Sequence, residues 1–219
     1  MAQEYQAIEL TTNEDALFEG EWDAFVTKHY RAREVVDVFQ DHKENIKEAC
    51  RIAKYQLESS FGGLNANTNE FGWMPIMPNF LLATGTPTYA TSTWRQYIAT
   101  SDVTTRWKDW IGTSASNLKL SKYATMIMIA FADSAEVAKI DGIQAKVKGK
   151  DYPIWYFGDM MRDTDQHVYE LTAPIVVEKE QEFYLQQLCG RAGVSELHPL
   201  GVYFAKGDHM RDQSAYAKI

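Results

Sequence analysis

Cysteine is scarce in this chain: Cys50 and Cys189 are the only two among 219 residues. So sparse a set excludes a small fold stapled by disulfides. A chain of this length needs no staple, because it can bury roughly 70% of its unfolded surface. Both thiols are expected to be buried and free, since free cysteine behaves as a small hydrophobe. Basic residues are outnumbered, 22 against 30 acidic ones, for a net charge of −8. That balance argues against general nucleic-acid binding through phosphate neutralisation and against an anionic membrane surface as partner. Long apolar runs are missing. The longest, Ala124 to Ala132, is broken by Thr125 and is about half of what a membrane span requires. The first residues have no basic and apolar leader pattern, so synthesis without export is expected.

The common catalytic signatures are missing too. There is no GxxxxGK[ST] or GxGxxG phosphate loop and no GxSxG elbow. None of the five histidines (His29, His42, His167, His198, His209) has a second ligand at a zinc-like spacing. His29, on an apolar helical stripe, reads as a structural histidine. Asp163, Asp165 and His167 could hold a divalent cation, but the glycine and distal glutamate of a calcium loop are absent. Glu178, Glu180 and Glu182 alternate around a turn and read as a solvated acidic face rather than a glycosidase pair. No metal and no cofactor is expected.

What is present falls into two grammars. No proline precedes Pro75. Thr11 to Glu14 fits a capping box. Then Phe18, Trp22, Phe25, His29, Ala32, Val36, Phe39, Lys43, Ile46, Cys50, Ala53 and Leu57 recur at spacings of three and four. One face of a helix produces this pattern and a strand cannot. The spacing predicts one long helix or two, over 14–40 and 43–60, with Gly62-Gly63 as the stop. This helical segment, residues 1–63, is expected to pack on the chain's own sheet or to form a seam with another copy.

From residue 64 to 219 the pattern is β. Asn65 to Asn69 is a turn-tolerant connector, and residues 84–125 hold ten Thr and five Ser. Strands are expected at Tyr123–Phe131, Ile143–Lys148, Tyr152–Phe157, His167–Leu171, Pro174–Val177, Glu182–Leu188 and Leu200–Ala205, with a hairpin at Gly149-Lys150. The connections are mostly too short for intervening helices. The fold class is therefore α+β: an N-terminal helical segment followed by an antiparallel β-sandwich of jelly-roll type.

Two strands look apolar on both faces: Met126 to Phe131 and Tyr152 to Phe157. Such a strand is central to a layered packing or covered by another subunit. Met126, Met128, Tyr152, Ile154, Trp155, Tyr156 and Phe157 are accordingly the candidate subunit interface. Charge is unevenly spread, net −6 over residues 1–60, +3 over 61–150 and −5 over 151–219, as surfaces that meet between copies could be. The polar tail Asp208–Ile219 has little to bury on its own chain and is expected to pack against neighbouring copies.

Residues 105–206 carry a further signal. Trp107-Lys108-Asp109-Trp110-Ile111 leads to the two-faced strand Lys122–Phe131. Asp141–Val147 runs into Lys150–Ile154, and Ala173–Val177 passes through Glu178–Gln181 into Glu182–Leu185. This rhythm resembles the late strands of jelly-roll coat and other virion structural proteins of viruses that infect bacteria or archaea. The resemblance implies a self-assembling, non-enzymatic structural subunit located in the virion and synthesised in the host cytoplasm. It implies identical copies, and other virion proteins, as partners. The acidic helical first third departs from coat proteins with a basic genome-binding arm, so direct nucleic-acid contact and membrane insertion are not expected. Two other classes stay open: a carbohydrate- or ligand-binding sandwich module, and an enzyme whose loop-borne site would draw on Asp163, Asp165 and His167.

Overall fold

The apolar stripe of the first third folds as three helices: α1 (Thr12–His29), α2 (Arg33–Asp41) and α3 (Lys43–Ser59). The computed structural model describes residues 12–59, 71–78, 94–112, 118–135, 137–160 and 167–206. Thr11, Gly62-Gly63, Asn65–Asn69, Asp163, Asp165 and Asp208–Ile219 lie outside them. The expected first helix is broken at Tyr30–Ala32, where Ala32 is extended (φ −69°, ψ 126°). That break turns His29 and Ala32 outward although both fit the stripe. Val26, Val35 and Val38, off the stripe, are buried instead. Two short helices at an angle present different arcs to the sheet than one straight helix would. The break is pinned from both sides. The Tyr30 ring stacks on Phe39 at 4.4 Å, and its hydroxyl donates to the Gly201 carbonyl at 3.4 Å.

The other described residues form eleven strands: β1 (Phe71–Pro75), β2 (Arg95–Ile98), β3 (Trp107–Ile111), β4 (Leu118–Lys119), β5 (Ala124–Asp133), β6 (Ile140–Val147), β7 (Lys150–Asp151), β8 (Trp155–Tyr156), β9 (Val168–Val177), β10 (Glu182–Cys189) and β11 (Gly193–Lys206). Two short helices, α4 (Thr100–Thr105) and α5 (Phe157–Met160), lie between them. All pairings are antiparallel. The first sheet runs β1-β11-β5-β9, with β2 also on β11. The second runs β3-β10-β6-β7, with β4 on β10 and β8 on β6.

Each short pair (β1 with β2, β3 with β4, β7 with β8) lines successive stretches of one partner strand and acts as a single interrupted edge strand. Numbered as eight such positions along the chain, the first sheet has the order 1-8-3-6 and the second 2-7-4-5. The chain crosses between sheets at every connection except the tight turn from β6 to β7. There Lys148 (φ 53°) and Gly149 (φ 71°) both take the left-handed conformation that a two-residue hairpin turn demands. The turn thus sits one residue earlier than Gly149-Lys150.

Three layers result. Between the sheets lie Met126, Met128, Phe131, Ile143, Phe183, Leu185 and their neighbours. Between the first sheet and the helices lie Trp22, Phe25, Phe39, Ile46 and Leu57 against Ile127, Ile129, Val202 and Phe204. Strand β5 is apolar on both faces because its residues alternate between these two cores. Cover within the chain therefore accounts for its pattern, and the helical segment packs on its own sheet. Cys50 lies in one core and Cys189 in the other, on opposite sides of the first sheet, and both are free.

Other boundaries moved for physical reasons. His167–Leu171 and Pro174–Val177 are one strand, β9, carrying a bulge: Leu171 to Pro174 together face the single residue Ile129 of β5. Pro174 sits in the bulge, on an edge strand, where no ladder bond is lost. The segment Tyr152–Phe157 is not a continuous strand. Pro153 interrupts it, Trp155 and Tyr156 alone pair with β6, and Phe157 opens α5. Gly142 permits that short pairing, because a Cβ there would stand 2.3 Å from the Trp155 carbonyl oxygen.

Candidate functional site

The proposed interface residues do not form one patch. Met126 and Met128 are fully enclosed between the sheets, and Phe157 is 3% exposed. Phe157 stacks on Tyr169 with ring centroids 3.8 Å apart. These three have no surface to offer a partner. Tyr152 and Trp155 pack on the rim of the intersheet core and on each other at 5.6 Å, and Ile154 is half-buried between them. Tyr156 is 47% exposed. The surface left from the set is therefore the β7–β8 edge of the second sheet.

A polar cluster sits where β5 leaves the first sheet. Ser134 Oγ lies 3.1 Å from His198 Nε2, and Glu196 Oε1 lies 3.8 Å from the same nitrogen. Both groups approach Nε2. A hydrolytic triad instead needs the hydroxyl on one ring nitrogen and the carboxylate on the other. The arrangement therefore does not activate Ser134 as a nucleophile. Burial depresses the His198 pKa, against the pull of Glu196 and Asp133. Asp133 beside it is 4% exposed. Burial raises its pKa, opposed by a 2.9 Å bond from the Ala135 N–H and by His167, His198 and Lys139. Its second oxygen, Oδ2, has no partner. Among the described residues no group of three His, Cys, Asp or Glu could hold a metal. His167 is exposed, and its backbone carbonyl accepts from the Asp133 N–H at 2.8 Å.

The turn from β9 to β10 is a structural clasp. Glu178 accepts from Lys148 at 2.8 Å and from Gln56 of α3 at 3.2 Å, and Lys179 donates to the Gln56 carbonyl at 2.6 Å. Burial alone would raise the Glu178 pKa, but Lys148, Gln56 and Gln181 together hold it below the usual range. Glu180 pairs with Lys119 at 3.8 Å. These glutamates serve packing and salt bridges.

The outer face of the second sheet has a different character. Along β10, Phe183 and Leu185 point into the core, while Tyr184 and Gln186 are half-exposed. Gln186 stands in register with Asp109 on β3 and with Gln144 on β6. The three side chains make one polar row across the sheet. Gln186 Nε2 donates to Asp109 Oδ1 at 3.0 Å, and Gln144 Nε2 donates to the Tyr152 carbonyl at 3.2 Å. In the next row on one side Trp107 pairs with Leu188; on the other, Tyr184 pairs with Lys146. Two aromatic residues thus flank a row of amides and a carboxylate. The strand-period polar positions of Glu182–Cys189 carried this signal, but pairing with Asp109 and Gln144 depends on register.

His42 was also unpaired in sequence terms. In the fold it is 4% exposed and meets Glu170 Oε1 at 3.1 Å, across 128 residues of chain. It ties the α2–α3 junction to β9.

No family model, curated protein or solved structure matches this chain. No helix among the described residues is long and apolar enough to cross a membrane.

Proposed function

We propose that the chain is a self-assembling structural subunit of a virus particle, built as a jelly roll with an added helical layer. The observation that supports this reading is the strand order, 1-8-3-6 facing 2-7-4-5. In this reading two four-position sheets wound in that order form a jelly roll, an arrangement shared by viral coat proteins and by lectin-like and cupin domains. Fold alone does not give function, and the resemblance in residues 105–206 directs the choice among these. In this reading the partners are identical copies and other virion proteins, the genome is not contacted directly, and the place of action is the virion.

Contact between copies is assigned to the β7–β8 edge, through Tyr152, Ile154, Trp155 and Tyr156. The edge strand β9 of the first sheet is broken by its bulge at Leu171–Pro174, a device that discourages strand-to-strand pairing. The test is the mass of the purified chain in solution, by light scattering and electron microscopy. Closed assemblies or discrete oligomers are expected, and Ile154→Asp should dissociate them. A dispersed 25.0 kDa monomer at micromolar concentration, in low and high salt alike, overturns the proposal.

A further inference from the structure

We propose that the outer face of the second sheet binds a neutral glycan, along the row Asp109–Gln186–Gln144 between Trp107 and Tyr184. The row abuts the β7–β8 edge, because Gln144 donates to the Tyr152 carbonyl, but its own side chains lie outside the residues assigned to contact between copies.

The row combines what a sugar requires. Pyranose rings present apolar C–H faces and, around their rims, pairs of hydroxyls that both donate and accept. Trp107 and Tyr184 supply aromatic surface that is partly exposed, the Tyr184 ring with the Lys146 ammonium 5.9 Å above one side, and both keep little rotamer freedom to lose. Gln186 and Gln144 each have one amide hydrogen already committed, to Asp109 Oδ1 and to the Tyr152 carbonyl. The remaining amide groups and the second Asp109 oxygen are thereby held in place for hydroxyls, which lowers the ordering cost of binding.

Charge and area select the occupant. The ionic groups around this face are matched within the chain: Lys146 with Asp151 at 3.6 Å, Arg106 with Asp141 at 3.3 Å and Lys108 with Asp102 at 2.7 Å. Among the described residues no cationic strip is left around this face to draw a phosphate backbone, so a neutral ligand is the complement. The face is four strand positions wide. At ~4.8 Å between strands and ~3.3 Å per residue along them it offers on the order of 500 Å². β8 lies across part of it at Gly142. A strip of that size suits a short oligosaccharide.

The test titrates the full chain with cellohexaose, xylohexaose, mannohexaose and maltohexaose, following tryptophan fluorescence and amide shifts by NMR. Saturable binding of at least one is expected, weakened tenfold or more in Trp107→Ala and in Gln186→Ala. Melting temperature and oligomeric state should be unchanged in Gln186→Ala, which keeps the proposal testable if Trp107→Ala folds poorly. Ile154→Asp should leave glycan binding intact whether or not it alters assembly. Absence of binding at millimolar concentration, binding that survives both row variants, or preferential binding of heparin overturns the proposal. So does loss of oligomers in Gln186→Ala, which would make a second copy the occupant.

Discussion

The two sheets of the sandwich treat their outer faces differently. Over its central part the first sheet turns Ile127, Ile129, Val202 and Phe204 outward and the helices bury all four, whereas at the β2 end Tyr97 and Val194 stay exposed at 66% and 39%. Outward residues of the second sheet include Asp109, Gln144, Lys146, Tyr184 and Gln186, which stay half-exposed, and Leu188, which is 5% exposed. A sheet declares in its outward positions whether it expects a cover. The first carries the helical layer and its aromatic cluster, in which the Trp22 ring centroid lies 5.9 Å from that of Phe25 and 6.1 Å from that of Phe39. The second carries hydrogen-bonding side chains in register.

The largest effect should come from breaking the covered side. Phe25→Asp removes a buried ring (6% exposed) and places a carboxylate in the helix–sheet core. It should cost about 3–5 kcal/mol, seen as loss of soluble protein or a large fall in melting temperature. Arg31→Ala on the exposed side should shift stability by no more than about 0.5 kcal/mol. Equal effects would mean that the helices do not pack as described.

Next in size is the link between the helical layer and β9. His42→Ala removes the buried ring that meets Glu170. A loss of about 1–3 kcal/mol is expected in denaturant unfolding, the range for a buried polar group that loses its partner. His42→Ala combined with Glu170→Ala should be less than additive, and strict additivity would show that the contact carries no coupling.

A smaller effect is expected from pH at the uncovered end of the first sheet. Burial depresses the folded-state pKa of His198. Its contribution is fully present above the unfolded value of about 6.5 and is lost as pH falls through the lower folded value. Asp133 runs the other way. Its folded pKa is raised, so its contribution is present below the unfolded value of about 3.9 and is lost as pH rises through the folded one. Melting temperature should therefore fall as pH drops below about 6.5, and His198→Gln should flatten that fall. An unchanged profile in the variant would remove His198 as the cause.

The smallest effect belongs to the uncovered side. Gln186→Ala should change stability by less than about 0.5 kcal/mol, as surface substitutions do. A loss comparable to that of Phe25→Asp would mean that the second sheet is also covered, and the contrast between the faces would fail.

Native-state reagents sharpen the same contrast between inside and outside. Burial pushes the Cys189 thiol up to about 11 and the Cys50 thiol higher still. Both should resist alkylation at neutral pH until the chain unfolds, and reductant should not change the melting temperature, because no bridge joins the two cores.

Much of this organisation is legible in the amino-acid order. The stripe from Phe18 to Leu57 determined a helical layer, since only a period near 3.6 puts those residues on one side. The alternation in Glu182–Leu188 and the two-faced run Met126–Phe131 marked a half-exposed and a doubly covered strand. Turn residues placed β5, β6, β9 and β10 to within a few positions, whereas β11 begins at Gly193 rather than Leu200 and β1 to β4 had no clear strand pattern. Tertiary structure decided the rest. It decided that Met126 and Met128 face the second sheet while Ile127 and Ile129 face helices, because a strand apolar on both sides does not say which neighbour covers which side. It decided the break at Tyr30–Ala32, where the Tyr30 ring found Phe39 and its hydroxyl found Gly201. It also decided the pairing of His42 with Glu170 and the row Asp109–Gln186–Gln144. Those groups lie far apart along the chain, and only strand register and layer packing bring them within a hydrogen bond or onto neighbouring strands.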